Sequence, residues 1–405
     1  MASKSFDLLS EAGLSSLPHE WDVVTIGQIL SKDNGIAVGV MYPGNHDPSG
    51  IPLIRAGDLN GNKINPNPDF RISSEKHFEY RRTTLEGGEL LLSLVGNLGQ
   101  CAVVTESMIG WNAARAIAVI RLSDKSDTDF VRLCLMSRPL QYLMNAWATT
   151  TVQATLNLKE IKELPIPWPP KKEREAWVAT IGALNNKIEL NRRINQTLES
   201  IARAVFRQWF VENPKSNWGE KSLDEIADFL NGLALQKFPA EEGGDYLPVI
   251  KIAQLRKNDT SDADKASPNI PAEYIIEDGD ILFSWSGSLE VVVWCGGRGA
   301  LNQHLFKVTS KEYPKWFYYL WTKHHLPEFQ GIAADKATTM GHIQRHHLSE
   351  AKVRIPSEKQ LPEMNNVMSP ILEQIINNEK ESRTLASLRD SLLPKLMRGE
   401  VRVRQ

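Results

Sequence analysis

Three cysteines among 405 residues are too few for a disulfide framework, and Cys101, Cys134 and Cys295 form no ligand-like cluster. Free buried thiols in a cytoplasmic protein are the expectation. No apolar run approaches the roughly 20 residues needed to cross a bilayer. The N-terminal MASKSFDLLSEAG lacks an apolar signal core, so no membrane association is expected. Neither sign of charge dominates: 47 Lys and Arg stand against 49 Asp and Glu, a net charge of −2. That balance argues against a simple non-specific nucleic-acid binder, which is basic overall, but leaves room for a local basic surface.

Catalytic signatures are missing too. There is no GxxxxGK[ST] phosphate loop, no HExxH pair and no GxSxG elbow. GNLGQ at 96–100 lacks the full dinucleotide pattern and marks a turn at a strand end. His324, His325, His346 and His347 would make a metal site only if the two doublets converged; exposed or DNA-facing histidines are the simpler expectation. The chain is therefore not expected to be an enzyme or to bind a metal or cofactor. What remains is an ordinary composition, 41% hydrophobic and 24% charged, long enough for two or three domains.

The chain is written twice. Trp21 begins WDVVTIGQI and Trp218 begins WGEKSLDEI. IPLIRAGDL at 51–59 is echoed by LPVIKIAQL at 247–255, and GGELLLSLVG at 87–96 by EDGDILFSWSG at 277–287. ATT at 148–150 recurs at 337–339, and TLESIARAVF at 197–206 returns as TLASLRDSLL at 384–393. Matches that keep one order along the chain read as an internal duplication. GELLLSLVG and ARAIAVIRL, at 114–122, read as strands; 129–147 has helical spacing interrupted by Pro139.

After IPWPP at 166–170, a stretch without proline runs from Lys171 to about Phe210. Leu184, Ile188, Asn191, Leu198, Ile201 and Val205 mark a stripe in steps of three, four or seven, the mark of a long amphipathic helix with coiled-coil character. Pro370 is expected to precede a second such helix, with Ile371, Ile375, Asn378, Leu385, Leu388 and Leu392 as its stripe. One constant offset relates each of these to its first-half counterpart, and the asparagine recurs with the rest. A polar residue in such a seam lowers stability and fixes register. Pro394 should perturb or end the last turns, with Gly399 as terminator. One helix outward and one returning favour an antiparallel pair about 50 Å long at 1.5 Å per residue.

Polar residues at strand ends and in loops are the candidates for recognition. In the first half they are Asn34, Arg55, Arg71, Lys76, Arg81, Arg82, Asn97, Arg115, Thr149, Thr150 and Gln153. In the second they are Lys237, Lys251, Ser286, Ser288, Arg298, Lys336, Thr338 and His342. Arginine addresses guanine edges bidentately, asparagine and glutamine address adenine, and cations hold phosphates. Any one of these side chains serves equally well as ordinary solvated surface. Trp21, Trp218, Phe130 and Trp316 recur at matching places, which favours core packing over base stacking.

The chain resembles the specificity subunit of type I restriction-modification systems. The resemblance rests on the duplicated W…LxxI starts, the G-[DE]-[IL]-L-x-S segments at 88–93 and 279–284, and the I-P elements before long helices. PIPWPPKKEREAWVATIGALNNKIELNRRI is similar to the family's central region, while PPKKERE at 169–175 and PSEKQLP at 356–362 depart from its PP-x-x-EQ signature. The resemblance implies a mixed α+β fold: two pseudo-symmetric globular target-recognition domains separated by an antiparallel pair of long helices. The expected boundaries are 1–168, a spacer at 169–213, 214–356, and a second spacer at 357–405. It further implies double-stranded DNA as ligand, each domain reading half of a split target. Two methyltransferase subunits and the restriction subunits are the implied partners, and S-adenosylmethionine and ATP with Mg belong to them. The alternative is a non-catalytic two-domain scaffold binding protein or carbohydrate.

Overall fold

Alternation within two short segments builds the centre of each repeat. In the computed structural model, Leu90 and Leu92 enter one buried cluster while Leu91 enters another. In the partner strand Ala118 and Ile120 go one way, Ile117 and Val119 the other. A strand that buries both faces must be apolar except where a polar group is bonded, as the Ser93 hydroxyl is, and Leu90–Ser93 and Ile117–Ile120 are buried at every position. The second repeat does the same: Ile281 and Phe283 face one core and Leu282 another. The structure describes residues 10, 13–14, 17–150, 154–335 and 341–403.

The chain divides into two units, Met1–Asn185 with Ser387–Gln405, and Asn186–Ala386. The first has an antiparallel sheet in the order Ile36–Val38, Ile117–Ile120, Leu90–Ser93, Cys101–Val103. The second has Asp228–Asn231, Leu305–Thr309, Ile281–Ser284, Val291–Val293 in the same order. Each adds a second sheet containing a parallel pair: Ile51–Ile54 with Asn112–Ala113, and Leu247–Ile250 with Gly299–Leu301. Each also pairs its opening strand with the I-P strand, Asp22–Thr25 with Pro165–Trp168 and Gly219–Ser222 with Lys352–Ile355. The duplication read from sequence is thus a duplication of topology, and the fold is mixed α+β.

The two long helices are Lys171–Arg207, continued by a π turn at Gln208–Glu212, and Gln360–Met397. The division between units falls inside both. In the first unit Trp177 and Ile181 from one helix and Leu396 and Met397 from the other close the same core. In the second, Ala202 and Phe206 meet Met364, Met368 and Leu372. Running up one helix while the partner numbers fall is the signature of an antiparallel pair. Lys187 meets Glu381, Asn191 meets Asn378, and Asn195 meets Ile375. The second helix begins at Gln360, well before the position expected from Pro370. Pro362 sits in its first turn, where the missing N–H costs nothing. Pro370 lies on the exposed side, where the Asn366 carbonyl it deprives of a donor can reach water. The burial of Met364 and Met368 outweighs that break. Pro394 does not end the helix either; it runs to Met397, and Gly399 follows at φ +69°.

The seam needs two further corrections. Ile201 and Leu388, equivalent positions in the two helices, are 45% and 49% exposed. Ala202 and Phe206 face inward in place of Ile201, and half-buried Arg389, donating to Asn185 Oδ1 at 3.1 Å, takes the place of Leu388. At 3.6 residues per turn, a step of four from Leu198 or Leu385 stays nearer the seam than a step of three. Asn191 and Asn378 are buried as expected, and Asn195 joins them. Asn378 Nδ2 donates to Asn195 Oδ1 at 2.8 Å, and Asn191 Nδ2 to Glu381 Oε2 at 2.8 Å. Leu184, Ile188, Leu198, Val205, Ile371, Leu385 and Leu392 are half-buried, and Ile375 is buried.

Trp21, Phe130 and Trp316 are core residues, while Trp218 is half-buried and donates to Gln360 Oε1 at 2.8 Å. All three cysteines are free and buried. Burial pushes the Cys101 and Cys295 thiols up to about 12, and Cys134 higher still. Because the thiolate is the nucleophile, Ellman's reagent at pH 8 should titrate almost none of them in the native chain and all of them in denaturant. Rapid native labelling of any one would contradict its burial.

Candidate nucleic-acid interface

Two parallel strand pairs carry the candidates that come together. In the first unit the pair Ile51–Ile54 and Asn112–Ala113 runs in one direction, so Arg55 and Arg115 leave it at the same end. Arg55 is 48% exposed, 4.0 Å from Asp58, with its guanidinium 5.5 Å from the Phe70 ring. Arg115 is exposed, and its side chain has no hydrogen bond or ion pair among the described residues. Asn97 lies in the neighbouring turn, exposed, its carbonyl accepting the Ser93 hydroxyl at 2.5 Å. Thr155 lies beside this turn through its bridge to Val95.

The second unit repeats the arrangement with different residues. Lys251 follows Leu247–Ile250, and Gln303 follows Gly299–Leu301. Lys251 pairs with Asp264 and lines a cavity of about 300 Å³ with Gln236, Asn302, Gln303 and His304. Ser286 is buried, its hydroxyl 3.0 Å from His304 Nδ1, and it bridges His342. Trp285 packs against both histidine rings. Ser288 sits in the adjoining turn, its carbonyl accepting from Ser284 at 2.7 Å. Lys237 is exposed beside Gln236.

Other candidates go elsewhere. Asn34 and Arg82 offer their carbonyls to Arg121, just beyond the end of Ile117–Ile120 opposite to Arg115. Arg81 rests over Phe78 at 5.3 Å. Arg71 donates to the Gly50 carbonyl at 3.1 Å and Lys76 pairs with Glu79 at 2.6 Å, both tasks within the fold. Arg298 precedes Gly299–Leu301 while Gln303 follows it, so the two lie at opposite ends of that strand; Arg298 pairs with Glu277 at 3.4 Å. For Arg298 the cause is strand direction, invisible in the linear order, which sends residues before and after a strand to opposite ends; Lys76, Arg81 and Arg82 stand on short helical turns instead. Thr149 and Thr150 belong to a short strand paired with Ala154–Thr155. Gln153, Lys336 and Thr338 lie outside the described residues. Gln236, Gln303 and His304 were missed by sequence; the strand echoes at 247–255 and 277–287, which carry Lys251 and Ser286, pointed near them.

The histidine doublets do different jobs. His324, held against Phe206 and Trp321, is kept below the usual imidazole range by burial and stays neutral at pH 7. His325 Nε2 donates to the Lys352 carbonyl at 2.9 Å. His346, His347 and Glu350 bring potential ligand atoms within 4.8 Å of one another. However, His347 Nδ1 accepts the Gln344 backbone N–H at 2.9 Å, which places the proton of the neutral ring on Nε2. His347 then has no lone pair left for a metal, and two ligands remain.

Comparison with known proteins agrees with this geometry. The family description "Type I restriction modification DNA specificity domain" matches residues 18–200 and again 215–388. The EcoBI specificity subunit of Escherichia coli is 29% identical over 229 residues, covering 52% of this chain and 48% of that one. The MjaIX specificity subunit of Methanocaldococcus jannaschii is 22% identical, covering 98% and 96%. The crystal structure of a type I restriction-modification S subunit from M. genitalium superposes with a TM-score of 0.57 at 18% identity, over 93% of this chain and 96% of that one, a likeness of fold. Among the described residues no helix is long and apolar enough to cross a membrane. With the specificity domain matched twice, over most of its length, the chain belongs to the specificity subunits of type I restriction-modification systems, a non-catalytic family.

Proposed function

We propose that each unit reads one half of a split double-stranded DNA target, and that the two long helices fix the gap between the halves. As a specificity subunit, the chain supplies the sequence-specific DNA recognition that directs the methyltransferase and restriction subunits of its complex. Two methyltransferase subunits per chain suit a protein with two copies of everything. S-adenosylmethionine and ATP with Mg then belong to the partners, and the assembly works in the cytoplasm. Arg55, Arg115, Asn97, Lys251, Ser286 and His342 are the recognition residues carried forward; Arg55 and Lys251 hold phosphates and the others address base edges in the major groove.

The observation that carries this reading is the repeated sheet order in two units whose long helices pass from one to the other without a break. A continuous helix transmits length: inserting four residues adds about 6 Å, roughly two base-pair steps of 3.4 Å. Four residues added to both helices, after Asn186 and at the facing turn before Ser382, should lengthen the gap in the methylated motif and leave both half-site sequences as they were. Methylation sequencing after co-expression with the methyltransferase checks this, and an unchanged gap refutes the spacer role.

A further inference from the structure

The two units pin one residue in the same way and then differ in what that residue is. In the first unit, Val40 bridges Ala114, and the Arg115 N–H donates to the Val40 carbonyl at 2.9 Å. In the second, Leu233 bridges Asn302, and the Gln303 N–H donates to the Leu233 carbonyl at 2.9 Å. A glycine precedes each crossing strand residue. A Cβ on Gly39 would stand 2.1 Å from the Ala113 carbonyl oxygen, and one on Gly232 would stand 2.2 Å from that of Asn302. Two backbones crossing this closely tolerate only glycine, so the positions of Arg115 and Gln303 are fixed by main chain and equivalent in register.

Neither side chain is spent on the fold. Arg115 is exposed and without a hydrogen bond or ion pair among the described residues. Gln303 lines the 300 Å³ cavity, and among the described residues its amide meets only His304 Nε2, at a long 3.4 Å. Beside each, at the end of the parallel neighbour strand, stands a cation, Arg55 in one unit and Lys251 in the other.

We infer that this shared position chooses a base in each half-site, guanine under Arg115 and adenine under Gln303. The inference rests on the DNA-reading role proposed above. The guanidinium fork matches the two acceptors of guanine, O6 and N7. A glutamine amide, one donor and one acceptor, matches N7 and N6–H of adenine. Arg55 and Lys251 hold the adjoining phosphate, which carries no sequence information.

The test is the methylated motif of cells co-expressing the chain with its methyltransferase, together with binding of the purified complex to duplexes varied one base pair at a time. Gln303→Arg should change one adenine of the second half-site to guanine and leave the first half-site alone. Arg115→Gln should do the reverse in the first. Gln303→Ala and Arg115→Ala should relax one position each, with about tenfold to hundredfold loss of discrimination there, and guard against a variant that is merely misfolded. Lys251→Ala should weaken binding evenly across sequences. A wild-type motif in two parts whose every position survives both alanine variants overturns this assignment while leaving the DNA-reading role standing. A wild type that marks no two-part motif overturns the role itself and the assignment with it.

Discussion

Gly232→Ala is expected to disable the second unit and spare the first, and Gly39→Ala to do the opposite. Neither glycine has positive φ, so the constraint is not conformational freedom but space. The added methyl group would meet backbone: the carbonyl oxygen and carbon of Asn302 at 2.2 and 2.5 Å for Gly232, and those of Ala113 at 2.1 and 2.5 Å for Gly39. A side chain can rotate away from such a contact; a strand fixed by its ladder cannot. Overpacking costs typically 1–3 kcal/mol, and a clash with main chain belongs at or above the top of that range, about 3 kcal/mol. Against a domain stability of roughly 5–15 kcal/mol that is a large share. Each unit has its own buried clusters, so the damage should stay local. Hydrogen exchange resolved along the chain is the measurement. Native protection across 228–309 in Gly232→Ala would show that the two backbones can move apart without loss.

Arg174→Ala should lower the melting temperature of the first unit by roughly 10 °C, from the cost of an orphaned buried charge. Arg174 and Asp127 are both 7% exposed. The guanidinium donates to the two Asp127 oxygens at 2.8 and 3.2 Å and to the Pro169 carbonyl at 2.7 Å, and lies 4.1 Å from the Trp168 ring. It locks the first turn of a long helix onto the body of its unit. Removing one partner leaves the other charge buried and alone, a cost of about 3–5 kcal/mol. For a unit of this size each kcal/mol moves the transition by about 2–4 °C. Removing both charges should be far milder, because apolar packing often replaces a buried pair without loss. The chain itself makes that comparison. At the offset that relates the two helix stripes, Pro314 and Leu361 occupy the corresponding places, and Leu361 packs against the second core. Arg174→Leu with Asp127→Asn should therefore recover most of the lost stability. Calorimetry of the single and double variants decides it; a double variant as unstable as Arg174→Ala would remove the charge argument.

Local pattern was legible where the structure is local. GELLLSLVG and EDGDILFSWSG read as strands because both faces of their sheets are covered. The two matching stripes read as helices because packing repeats with the turn. Legibility failed one level up. Ile201 and Leu388 looked like seam residues because they are apolar, yet Ala202 and Arg389 lie closer to the facing helix. Pro370 looked like a boundary because proline breaks helices in isolation, yet tertiary burial on the opposite side carried the helix through it. Arg298 looked equivalent to the other strand-end cations, but strand direction placed it away from them.

The sequence alone settled that this chain is one unit made twice, with a long helix closing each copy, because duplication, alternation and helical period are written in linear order. Which side chains stand together was decided only by tertiary structure. Arg55 comes beside Arg115, and Lys251 beside Gln303, through parallel pairing of strands that are far apart in the chain. The crossings at Gly39 and Gly232 pin the ends of the same strands, and no local pattern of side chains encodes a pairing or crossing between distant backbones.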